Sequence, residues 1–255
     1  MSTRAIDATV FLCHGAGGDA GSMGALANAL RAAGCADARA LAYPGREGNE
    51  GLPRDTVAAL AEAVRDAVRA ALGDLDRPHV MLGHSMGGAV AIEYALDPPR
   101  GLEALVLVST GARLRVHPSI LAALEAADGA EDANATQAPG ASASFARGLE
   151  QSRRAPRPSA LADWRAANAF DRMDRIHELT LPTLIVVGEN DILTPLKYAR
   201  FLHEHIPGAQ LETLPGAGHS LPTEHPSRVA ELTERFLASL PTRTGGPEPT
   251  PPRST

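Results

Sequence analysis

The sequence is short of several things at once. Its 255 residues include two cysteines, Cys13 and Cys35, too few for a disulfide scaffold and too far apart for a C-x-x-C site. Both are expected as reduced thiols. Aromatic residues make up 4% of the chain, and Lys197 is the single lysine among 24 cations. Against these stand 30 acidic residues, and the resulting net charge of -6 excludes the basic surplus that nucleic acid or anionic lipid demands of a partner. No apolar run approaches the roughly 18 residues of a membrane span. The first run, Val10 to Cys13, is also too short for a signal-peptide core. A cytoplasmic location is expected, with no nucleic-acid and no membrane partner. The histidines lack zinc-site spacing, and neither G-x-x-x-x-G-K-[ST] nor a G-x-G-x-x-G opening a Rossmann unit is present. No metal and no nucleotide cofactor is expected.

What is present is 44% apolar residues, enough for one full-size domain. Short apolar runs alternate with longer helical patterns, the signature of an α/β fold with a mostly parallel sheet and helices on both faces. The runs Ala8 to Cys13, Ala38 to Ala42, His79 to Leu82, Leu105 to Ser109, Thr183 to Val187 and Leu211 to Leu214 are predicted strands. Between Asp55 and Leu72, Val57, Leu60, Ala61, Val64, Val68 and Leu72 recur at helical spacing, with Asp55 as the expected cap. A closing helix is expected after Pro226, where Val229, Leu232, Phe236 and Leu240 share a face. The strand rhythm breaks once. Residues 113–179 are therefore expected to form an inserted helical cap on a core of residues 1–112 and 180–240, with Asp128 to Ser144 as its mobile part. Residues 241–255, rich in Pro, Gly and Thr, are expected as a disordered tail.

The chemistry is concentrated in three loops. GHSMGG, at Gly83 to Gly88, follows an apolar run and precedes AVAIEYAL, so Ser85 is predicted on a sharp strand-to-helix turn. A serine hydroxyl needs a base to take its proton and an acid to orient that base. The strand ending at Val187 leads to Asp191, the candidate acid. The strand ending at Leu214 leads to His219, the candidate base. Rivals are weaker on position: Glu189 lies closer to its strand, His203 and His205 sit on a polar helical segment, and His225 precedes Pro226. His84 and His14 are expected to support the loops they belong to. HGAGGD, at His14 to Asp19, supplies a flexible backbone for an oxyanion hole, with the N-H groups of Ala16 and Met86 as donors. Trp164, Phe170 and Met173, with Leu121 and Phe145, either line an apolar acyl pocket or anchor the cap.

HGAGG, GHSMGG, GENDILTP and GAGHS, in that order and each after a predicted strand, resemble the α/β-hydrolase superfamily. The resemblance covers the chain to about Leu240. It implies a Ser85, His219 and Asp191 triad, a helical cap, and an eight-stranded sheet or a shortened version of it. With few residues before the first strand, about six strands are expected. The implied activity is cofactor-free hydrolysis of carboxylic esters of small to medium substrates. A thioesterase is the first alternative, because YPGRE at Tyr43 to Glu47 is similar to type II thioesterases, whereas GAGHSLPTEHP is closer to esterases and lactonases. A ligand receptor on a hydrolase scaffold, with negligible turnover, is the second. The expected partner is thus a small-molecule ester or thioester.

Overall fold

In strand β1 (Thr9–Cys13) every residue is buried, and the side chains alternate between two apolar cores. Phe11 and Cys13 face one, Val10 and Leu12 the other. The same alternation repeats along β3 (His79–His84), β4 (Leu102–Val108) and β5 (Thr183–Gly188), which is why these strands read as continuous apolar runs. A computed structural model describes residues 8–126 and 154–241. Within it β2 (Ala38–Ala40) and β6 (Gln210–Leu214) form the edges of one six-stranded sheet of order β2-β1-β3-β4-β5-β6, parallel throughout. The expected Asp128 to Ser144 segment and Phe145 lie outside the described residues, as does the tail beyond residue 241.

Helices cover both faces. α1 (Gly24–Ala32) packs with the closing helix α8 (Pro226–Ser239) on one side, and α2 (Val57–Leu72) with α3 (Met86–Ala95) on the other. Between β4 and β5 the chain forms α4 (Pro118–Ala126) and α5 (Arg157–Ala169), which pack on each other. The other α-helices among the described residues are α6 (Leu196–His205) and the single turn α7 (Leu221–Glu224).

Three local expectations are corrected. Helix α2 is capped by Thr56, whose hydroxyl accepts from Ala59 N at 3.2 Å, and not by Asp55. Thr56 is the residue with extended backbone next to the first helical position, the geometry a cap needs. β4 starts at Leu102, earlier than the apolar run suggests, because Glu103 interrupts the hydrophobic pattern while the backbone already pairs with β3. β2 is shorter than expected, and only three of its residues are paired to β1.

Candidate active site

Ser85 sits between β3 and α3 with φ 55° and ψ -120°, a left-handed backbone that a non-glycine residue adopts only under constraint. The constraint is visible on both sides. Ser85 N donates to Val108 O at 3.0 Å, and Ser85 O accepts from Thr110 Oγ1 at 2.7 Å. The flanking glycines have no alternative: a Cβ on Gly87 would be driven into the Cys13 carbonyl, and one on Gly83 into the Gly87 carbonyl. Strand and helix therefore meet closely enough to leave Ser85 part-exposed at the N-terminus of α3, while its neighbours His84 and Met86 are buried.

The loops after β5 and β6 are joined to each other by their backbones, Asn190 N donating to Ala217 O at 2.8 Å and Glu189 N to Leu214 O at 2.9 Å. This joins Asp191 to His219. His219 Nδ1 lies 3.0 and 2.9 Å from the two Asp191 carboxylate oxygens, and both residues are buried. Asp191 Oδ1 also accepts from Leu193 N and Thr194 N at 3.0 and 2.9 Å, and Oδ2 from Thr194 Oγ1 at 2.8 Å. Burial alone would raise the Asp191 carboxyl, but the hydrogen bond and charge of His219, with the Thr194 donors, hold it below the ordinary value. An ionised carboxylate accepts only, so Nδ1 carries the hydrogen and Nε2 is left as the free basic nitrogen. No hydrogen bond links the imidazole to Ser85 among the described residues; the imidazole bonds run through Nδ1 to Asp191 and Thr194.

His219 is held beside the Ser85 turn by His84. Its ring centroid is 4.9 Å from that of His219, and its Nε2 is 2.9 Å from the His219 carbonyl. Burial, reinforced by the charge of His219, lowers His84 to about 3, so the neutral ring donates this bond. His14 is likewise lowered to about 3, by burial first and Arg46 second, and its Nδ1 donates to Gly15 O at 2.8 Å. Tyr43 closes over it, donating its hydroxyl to His14 O at 3.1 Å.

Neither Ala16 N nor Met86 N has an acceptor among the described residues, so both remain available to an oxyanion. Beside this loop opens a cavity of about 490 Å³, lined by Gly15, Ala16, His84, Arg154, Ser220 and Glu224 among others. The other histidines lie elsewhere. His203, His205 and His225 are exposed, and His205 stacks on Phe201. Glu189 accepts from Gly216 N rather than meeting His219. Trp164 and Phe170 are buried in the apolar cluster that also holds the inner faces of α2 and α3, which favours the anchoring role over the acyl pocket. Met173 lines a separate cavity of about 380 Å³ with Arg113, Arg115, Lys197, Tyr198 and Phe201. Among the described residues no group of three or more His, Cys, Asp or Glu could hold a metal ion, and no helix is long and apolar enough to cross a membrane.

Two residues at the site escaped the sequence reading of roles. Thr194 follows Asp191 at the three-residue spacing of a side-chain turn, a signal that was available. Arg46, within the quoted YPGRE, forms a buried ion pair with Asp163, a contact between positions 117 residues apart that no local pattern announces.

Residues 10–232 match the model of the alpha/beta hydrolase family. The chain belongs to that family. An uncharacterized protein of Mycobacterium tuberculosis is 30% identical over 224 residues, covering 71% of this chain, and the chain spans only 61% of that relative's length. A pimeloyl-[acyl-carrier protein] methyl ester esterase of Neisseria meningitidis is 31% identical over 199 residues, 70% of this chain and 76% of that one. Among solved structures, a thermophilic esterase superposes with TM-score 0.73 at 30% identity, covering 91% of this chain and 90% of its own.

Proposed function

We propose that this chain is a serine hydrolase that cleaves carboxylic esters of small to medium substrates through an acyl-enzyme. The observation that carries this reading is the buried His219–Asp191 pair, held against the turn that presents Ser85, with two unused backbone N-H groups nearby. In this reading Ser85 Oγ attacks the ester carbonyl carbon while its proton passes to His219 Nε2. The carbonyl π electrons move onto oxygen, where Ala16 N and Met86 N stabilise the charge. Collapse expels the alcohol, which takes the proton from His219. Water then attacks the acyl group, His219 again takes a proton, and the acid leaves as Ser85 regains its hydrogen. Asp191 keeps the imidazole in the tautomer this sequence needs. No cofactor enters any step.

The esterase relative and the esterase structure support the ester class. Thioesters are the second class, favoured by one observation. Arg46 of the thioesterase-like YPGRE segment is hydrogen-bonded into the loop that carries Ala16. A panel of p-nitrophenyl esters of increasing chain length, run beside acyl thioesters with Ser85→Ala as control, tests both. Ester turnover that disappears in Ser85→Ala is expected. Faster thioester turnover reverses the order, and tight binding without product indicates a receptor.

A further inference from the structure

Arg46 and Asp163 form a charged pair that the reaction above does not use, and each side chain is only 2% exposed. Removing two charges from water is costly, and an apolar pair of similar volume would fill the space without that cost. Their remaining hydrogen bonds indicate what an apolar pair could not do. Arg46 Nε donates to Gly18 O at 2.9 Å and Nη1 to Pro44 O at 3.1 Å, while Nη2 meets Asp163 Oδ2. Asp163 Oδ2 also accepts from Gly17 N at 2.9 Å. From the start of the same segment, Ala155 N donates to Gly17 O at 3.1 Å, and Ser159 Oγ to Gly45 O at 2.6 Å.

Gly17 is thus held by both its N-H and its carbonyl, and Gly18 by its carbonyl, with Gly17 at φ 69°. A peptide unit is planar, so fixing the direction of the Gly17 N-H fixes the plane that follows Ala16. The Ala16 N-H is one peptide away. Burial pushes the Asp163 carboxyl up to about 6, against the lowering pull of Arg46 and the Gly17 N-H. Arg46 also approaches the Tyr43 ring, 5.4 Å from its centroid, which ties the pair to the residue that closes over His14.

We infer that Arg46 and Asp163 are positioning residues. They lock the His14–Gly18 loop so that the Ala16 N-H is aimed at the developing oxyanion, and they tie that aim to helix α5, which carries Asp163. The inference rests on the esterase reading above.

The test uses the full chain with a p-nitrophenyl ester and with a trifluoromethyl ketone, an inhibitor whose hemiketal oxyanion needs the same donors. Asp163→Ala removes the acceptor of the Gly17 N-H, Asp163→Asn keeps an oxygen for it, and Arg46→Lys keeps charge without the three-way contact. Expected is a fall in kcat of at least tenfold for Asp163→Ala and Arg46→Lys, with KM within about twofold and the ketone inhibition constant rising in step. Partial recovery in Asp163→Asn is expected. If Asp163→Ala does not fold, Asp163→Asn and Arg46→Lys carry the test, each corrected for folded fraction by thermal melting. Lowered melting temperatures with unchanged kcat, KM and ketone inhibition in the folded protein would overturn the inference. A wild-type chain without Ser85-dependent turnover would instead remove the reading beneath it, and the inference with it.

Discussion

The neutral imidazole of His84 donates a hydrogen bond to the main-chain carbonyl of His219, so the residue preceding the nucleophile candidate fastens the loop of the base candidate. This bond spans 135 positions and is buried. His84→Ala leaves the His219 carbonyl without its donor, and a loss of about 1–3 kcal/mol in stability is expected. Because the loop of His219 is then free to shift, kcat falls further than folded fraction alone explains. Urea denaturation alongside steady-state kinetics checks both.

Gly87 is predicted to be intolerant of any side chain. A Cβ there would meet the Cys13 carbonyl, which belongs to the buried interior strand β1 and has no room to retreat. Gly87→Ala should cost about 3 kcal/mol or more, or prevent folding. Gly24→Ala is the control, since a Cβ at Gly24 meets nothing within 4 Å. Denaturation midpoints of the two variants decide the point, and equal midpoints would contradict the packing described.

Asp191 gives a signed pH prediction. Its carboxyl is held below the ordinary value of 3.8, so its stabilising contribution is complete above that pH and is lost as pH falls through the lower, folded value. Wild type should therefore lose stability more steeply than Asp191→Asn as pH drops below about 4. At neutral pH the same variant should lose kcat by about 10²–10⁴-fold, since an amide no longer selects the imidazole tautomer. Denaturation from pH 2 to 6 and kinetics at pH 7 measure the two effects.

Helix α2 separates two neighbouring residues cleanly. Thr56→Ala should cost about 1 kcal/mol through the lost Ala59 N-H bond, whereas Asp55→Ala should be close to neutral. Thermal or urea melts resolve a difference of that size.

Much of the fold was legible because burial on both sheet faces makes Phe11 to Cys13, Val80 to Leu82 and Leu184 to Val187 apolar at every position, which marks strands without any periodicity argument. The loops of Ser85 and Asp191 were legible as places for candidate groups because each follows such a run, whereas His219 follows the edge strand β6, whose Glu212 and Thr213 break the apolar pattern, and only its Gly-rich loop marked it. Strand limits were less so. Glu103 is skipped where the register between β3 and β4 shifts, so Leu102 and Ala104 pair with His79 and Val80 while a charged residue interrupts the apolar run. Least legible was Asp163, on a helix that reads as an ordinary amphipathic segment. Only the folded chain reveals that its carboxylate meets a guanidinium from position 46 and the amide of Gly17.

Trapping the acyl-enzyme decides whether Ser85 carries the acyl group. The protein is mixed with p-nitrophenyl butyrate, quenched in acid within the first turnovers, digested and analysed by mass spectrometry. One butyryl group on the peptide that carries Ser85, rising with the nitrophenol burst, decaying as substrate is exhausted and absent in Ser85→Ala, is the predicted result. Ester turnover with Ser85 unmodified throughout, or undiminished in Ser85→Ala, would rule out Ser85 as the nucleophile.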